Sequence, residues 1–150
     1  MNTNITKTWT LTINEDNIFA RCTNESLYQA YARTEENLKG DMVVMQDDDR
    51  DQFKAYYNVA IADLTTILAR RLDYPVSAYD NITSFNLLMH DNHDDIMASV
   101  LATHCIEYVI KKVLEQWYRA DFGAELERLE INHCLHYRKN PVRRRVSPLI

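Results

Sequence analysis

Residues 96–118 read IMASVLATHCIEYVIKKVLEQWY. Apolar side chains recur there at Met97, Val100, Leu101, Cys105, Tyr108, Val109, Val113, Leu114 and Trp117, in steps of three and four that line one side of a helix. Ile106 and Ile110 widen the stripe until little of the circumference is polar. A helix apolar nearly all round is covered by neighbours on several sides. This segment is therefore the expected centre of the fold, with Ile110 and Trp117 in its core. Asp91-Asn92 open the approach to it, and Phe122-Gly123 interrupt it.

Working outward, the residues Phe53, Tyr57, Ala60, Ile61, Leu64, Ile67, Leu68 and Leu72 repeat the same spacing and predict a second helix. Asp47, Asp48 and Asp49 suit its start, where free amides and the positive end of the dipole favour anions. Arg70 and Arg71 suit its end, and Tyr74-Pro75 stops it. Trp9, Leu11 and Ile13 alternate with threonines and predict a strand over 8–13, and Phe85, Leu87 and Met89 predict a strand over 84–90 that pairs with it. Asn14–Asn17 is read as a turn and 18–22 as a returning strand. Asn24 or Ser26 then caps a short helix running to Leu38, ended by Gly40. After Gly123 a last helix turns Leu126, Leu129, His133 or Cys134, and His136 or Tyr137 inward, with Glu125, Glu127 and Glu130 outward.

The composition agrees with long elements and few tight turns. Of 150 residues 46% are hydrophobic, and only two are glycine and three proline. Cys22, Cys105 and Cys134 are scattered with no C-x-x-C spacing, and an odd number suits reduced core thiols better than a disulfide framework. The opening residues 1–13 are polar and alternating, which predicts no signal peptide, and no segment has the roughly 20 apolar residues of a membrane helix. Folding in the cytoplasm is expected.

Three constellations invite a chemical reading. His90-Asp91-Asn92-His93-Asp94-Asp95 gathers imidazoles and carboxylates of the kind that hold zinc. The run lies between a strand and a helix, where the same residues satisfy free amides and complement the dipole, and that reading takes precedence. Asp47-Asp48-Asp49-Arg50-Asp51 lacks the glycine and the distal glutamate of a calcium loop and is read as a solvated helix start. His104 and Glu107 share one helix face, but in the reverse order of the Glu-x-x-His pair of metal bundles and with no second copy. No nucleophile elbow and no glycine-rich phosphate loop occurs. The expectation is a protein that is not an enzyme and holds no metal or cofactor.

Charge is divided along the chain. Five of the 17 Lys and Arg lie in 138–150 and none of the 22 Asp and Glu does, which leaves 12 basic against 22 acidic residues in 1–137. The basic stretch is Arg138-Lys139-Asn140-Pro141-Val142-Arg143-Arg144-Arg145-Val146-Ser147-Pro148-Leu149-Ile150. Two prolines and a triple arginine predict an extended arm. Arg138, Lys139, Arg143, Arg144 and Arg145 supply forks and charges for carboxylates. Pro141, Val142, Val146, Leu149 and Ile150 supply apolar anchors that a merely solubilising tail does not need. These ten residues are the candidate partner-binding site.

The run from His104-Cys105-Ile106-Glu107-Tyr108-Val109-Ile110 to Trp117-Tyr118, the acidic segment after it and the ending Arg138 to Ser147 together resemble small α-helical virion structural proteins, of head-tail connector or neck type, of Bacteroidetes tailed phages and prophages. The resemblance covers about the C-terminal third. It implies a non-enzymatic adaptor in a homo-oligomeric ring, with portal, connector or tail proteins as partners. DNA at most passes through a channel, no membrane is involved, and the location is the virion, reached from the host cytoplasm during assembly. The residues themselves leave open a second reading, a nucleic-acid-associated or regulatory bacterial protein that sets the arginines on phosphates.

The expected architecture is mainly α: one domain over 1–137, a bundle of three to four helices with a small two- or three-stranded β element, and an extended basic arm over 138–150.

Overall fold

Phe85, Leu87 and Met89 alternate on one face of the central strand of a three-stranded antiparallel sheet, and each is at most 1% exposed. The computed structural model describes residues 5–35 and 44–137. It runs β1 (Ile5–Asn14), α1 (Glu15–Glu35), α2 (Arg50–Leu68), β2 (Leu72–Tyr79), β3 (Ile82–His90), α3 (Asp95–Tyr118), α4 (Gly123–Glu127) and α5 (Ile131–Leu135). The protein is mainly helical with a small sheet, as expected. The sheet order is β1-β3-β2.

The expected pairing of the first strand with 84–90 holds, with Leu11 opposite Phe85 and Trp9 opposite Leu87. The predicted strand over 18–22 is instead helix. Asn14 Oδ1 accepts from the amides of Asp16 at 2.8 Å and Asn17 at 3.3 Å, so the residue read as a turn starts α1 straight from β1. Ile18, Cys22 and Ser26 are buried while Ala20 and Asn24 between them are exposed, a period of four where a strand would have two. The expected stop at Gly40 lies outside the described residues.

α2 follows its prediction as far as Leu68, burying Phe53, Tyr57, Ala60, Leu64 and Leu68, whereas Leu72, expected in the same helix, begins β2. Arg70 and Arg71 fall in a 3-10 turn after it. Tyr74-Pro75 does not merely stop the helix: it lies inside β2, the strand that sequence reading missed. β2 is an edge strand, where a missing proline amide is tolerated. Most of its side chains are exposed, so it lacks the apolar alternation that marks β3. Its hairpin to β3 turns on Asp80 and Asn81, with φ of 57° and 66°, the two residue types after glycine that best accept a left-handed backbone.

α3 occupies the centre, contacting α1, α2 and α5. Its core face carries Leu101, Cys105, Val109, Ile110, Val113 and Leu114, whereas Trp117 is only half-buried at the margin. The helix ends on Arg119 in the left-handed conformation, ahead of Phe122-Gly123. Glu115 Oε2 accepts from the Phe122 amide at 2.9 Å and Asp121 Oδ1 from the Gly123 amide at 2.8 Å. A Cβ on Gly123 would sit 3.1 Å from that Asp121 oxygen, a tight approach to which the exposed Asp121 side chain would have to yield. The predicted last helix is two short ones, broken by left-handed Glu130. Ile131, Cys134 and Leu135 point inward and His133 is exposed; Glu125, Glu127 and Glu130 are exposed, as predicted.

Candidate functional site

The ten candidate partner-binding residues of the arm, Arg138 to Ile150, lie outside the described residues. The other constellations fall within them, and each is engaged in holding the fold.

Asp94 caps α3, its Oδ1 accepting from the Ile96 amide at 3.0 Å. His93, 4% exposed, donates from Nε2 to the Cys134 carbonyl at 2.8 Å and so ties the approach of α3 to α5. His90 Nδ1 accepts from the Asn92 amide at 3.2 Å. His104 Nδ1 donates to the Leu129 carbonyl at 2.6 Å, and Glu107 pairs with Arg21 of α1 at 2.7 Å, so the two neighbours on one helix face serve different interfaces. Asp49 Oδ2 accepts from the Gln46 amide at 2.9 Å at the start of the turn leading into α2. Among the described residues no group of three or more His, Cys, Asp or Glu is placed to hold a metal ion.

Cys22, Cys105 and Cys134 are buried and unpaired, as expected. Burial pushes the Cys22 and Cys105 thiols up to about 12, and Cys134 is raised for the same reason. Thiols so placed are protonated at neutral pH and are poor nucleophiles. His136 is held below its ordinary value of 6.5, first by burial and then by Arg71 and Arg70. Its Nδ1 accepts from Arg71 Nε at 3.3 Å, a bond that requires the neutral ring. As pH falls through 6.5 the unfolded chain therefore takes up a proton that the folded chain declines, and stability is lost from there down to the depressed folded value. Thermal melts of His136→Gln and wild type between pH 7.5 and pH 5 should show a smaller acid loss in the variant. Equal losses would mean that His136 does not contribute to the pH dependence.

Two features were not foreseen from the sequence. One is a charged network at the start of α1. Glu15 is 5% exposed, and its carboxylate meets Lys54 Nζ at 2.8 Å and Arg50 at 3.4 Å, while Arg50 also binds Asp16 and stacks on Phe19 at 4.6 Å. The Glu15 amide donates to Asn81 O at 2.8 Å, which joins this network to the β2–β3 turn.

The other feature is a groove between α1, the C-terminal half of α3 and α4, enclosing about 360 Å³. Buried Ile110 and Leu114 line it, as do Tyr118 and Phe122, whose ring centroids are 6.4 Å apart. Glu25, Lys111 and Glu125 also line it, together with the Arg21–Glu107 ion pair. Four-residue steps of charge on α1 and α3 hint at polar faces. That these two faces meet is a product of helix packing.

Comparison with family models, with curated proteins and with solved structures finds no match. Among the described residues no helix is long and apolar enough to cross a membrane.

Proposed function

We propose that the chain is a non-enzymatic structural subunit of a tailed-phage virion, a head-to-tail connector or neck adaptor. In this reading residues 138–150 form an extended basic arm that docks on a neighbouring protein in a ring.

The observation that carries the reading is the division of charge: five cations and no carboxylate after Tyr137, against 12 basic and 22 acidic residues before it. Unlike patches on one chain are what a heterologous, ring-closing contact requires. The use of His93, Asp94, His104 and Glu107 in the fold's own contacts is consistent with a structural role. Under this reading the body's carboxylates, rather than the arm, face any channel, since like charge keeps passing DNA from adhering.

A chain ending at Tyr137 tests the proposal. It should keep the circular dichroism and melting of the full chain yet fail to enter particles when supplied during assembly. Normal incorporation would defeat the reading. The triple arginine favours nucleic acid as the second reading, and a gel shift separates the two. Tight, steeply salt-dependent binding lost in Arg143→Ala/Arg144→Ala/Arg145→Ala would assign the arm to phosphates.

A further inference from the structure

We infer that the groove between the open edge of β1 and the start of α3 is the seat for residues 138–142 of the same chain, the root of the basic arm. This seat does not depend on what the arginines bind, and Arg143 onward stays available to the neighbour proposed above.

The groove encloses about 390 Å³, within the roughly 300–1,000 Å³ of pockets that enclose ligands. Thr8 and Trp9 line it from β1, Met89 from β3, Asp95 and Ala98 from α3, and His93 from the link between β3 and α3. Met89 and Ala98 are buried, so Trp9, half-buried against the core, is the large apolar side chain of the lining with surface still to cover. Lys7, which completes the lining, donates from Nζ to the His93 carbonyl at 2.9 Å. β1 stands at the edge of the sheet, and among the described residues no strand pairs with its other side. Natural proteins commonly cover such an edge with a loop or another segment of chain.

The point of exit chooses the occupant. Lys7 and Asp95 balance, so the charge of the lining selects no partner. Tyr137, the last described residue before the arm, sets its ring edge-on to His93 with centroids 6.3 Å apart. Its amide meets the Cys134 carbonyl at 3.5 Å, the same carbonyl that His93 Nε2 binds at 2.8 Å. The arm therefore leaves the body against a residue that lines the groove. Val142 is five residues on, a reach of up to about 18 Å. A segment tethered so closely competes at an effective concentration of about millimolar, which a free partner or a second copy in dilute solution does not match. Pro141 and Val142 are the first apolar residues that the arm brings. Pro141 has no amide to satisfy, and both side chains suit the exposed part of Trp9. Fixing the root also aims the three arginines and lessens the ordering that their own contact requires.

Acrylamide quenching of Trp9 in full-length chains tests this. Trp9 and Trp117 are the two tryptophans, so Trp117→Phe leaves Trp9 as the reporter. In that background Pro141→Asp/Val142→Asp should give a steeper quenching slope and an emission shifted to the red, because carboxylates leave an apolar seat. Leu149→Asp/Ile150→Asp should change neither reading, and the slope of the reporter chain should be the same at low and high protein concentration. Ordering the root offsets the burial it gains, so the seat registers at Trp9 rather than in the melting of the chain. Circular dichroism establishes that each variant is folded. If Trp117→Phe unfolds the chain, the same differences are read with Trp117 kept as a constant background. An unchanged Trp9 in Pro141→Asp/Val142→Asp would overturn the seat. Exposure of Trp9 by Leu149→Asp/Ile150→Asp would give the groove to the end of the arm and overturn the root as occupant. Protection that grows with protein concentration would overturn the chain's own arm in favour of a second copy. Each of these failures leaves the docking of the arginines on a neighbour to its own test in particles.

Discussion

Phe53→Ala should cost the folded protein about 3–5 kcal/mol, the range for removing a fully buried aromatic side chain. Phe53 has no exposed surface and sits where α2 meets α1. Its ring meets Phe19 edge-on at 5.0 Å and Tyr57 in a stacked contact at 5.6 Å, and Arg50 lies over it at 5.6 Å. Truncation removes the apolar burial and those ring contacts together and leaves a cavity between α1 and α2. Urea unfolding followed by circular dichroism measures the change. A loss below about 1 kcal/mol would show that the site collapses freely and that Phe53 does not hold α1 against α2.

Removing both cations from Glu15 should cost about 3 kcal/mol, because a carboxylate only 5% exposed is left without a counter-charge. Arg50→Ala/Lys54→Ala is the variant, since either cation alone still faces Glu15. Water reaches both cations, whose side chains are 37% and 49% exposed, so the attraction they lose is screened and the dominant cost is the stranded anion. Adding Glu15→Gln to that pair should restore part of the loss by removing the charge itself. A triple variant no more stable than the double would place the cost in Arg50's packing over Phe19 and Phe53. Because Arg50 touches Phe53, this loss and that of Phe53→Ala should not add.

The two effects meet at the junction of β1 and α1, where sequence reading failed most. The strong alternation of 8–13 and the turn-like composition of Asn14–Asn17 predict a returning strand over 18–22. The spacing of Ile18, Cys22 and Ser26 was the signal for a helix, and Asn14 with Glu15 and Asp16 behind it was the signal for its cap. β2 left a fainter trace. An edge strand buries few side chains, so its place is fixed by hydrogen bonds to β3, which no residue pattern records. The broken last helix is of the same kind: the left-handed Glu130 that divides it carries no glycine to announce itself.

Sequence alone was enough for whatever depends on one segment and its own exposure to water. The periodicity of 96–118 and 53–68 set two central helices, alternation at 8–13 and 84–90 set the paired strands, and charge counting separated the acidic body from the basic arm. The tertiary structure decided whatever depends on segments distant in the chain meeting. It buried Glu15 beside Arg50 and Lys54, joined His93 to the Cys134 carbonyl, and set Glu25 of α1 and Glu125 of α4 along one groove. The reason is physical: hydrophobic patterning determines which face of an element turns inward, but it is non-directional. Which inward faces then meet, and which charges are carried together as a result, depends on packing across the whole chain.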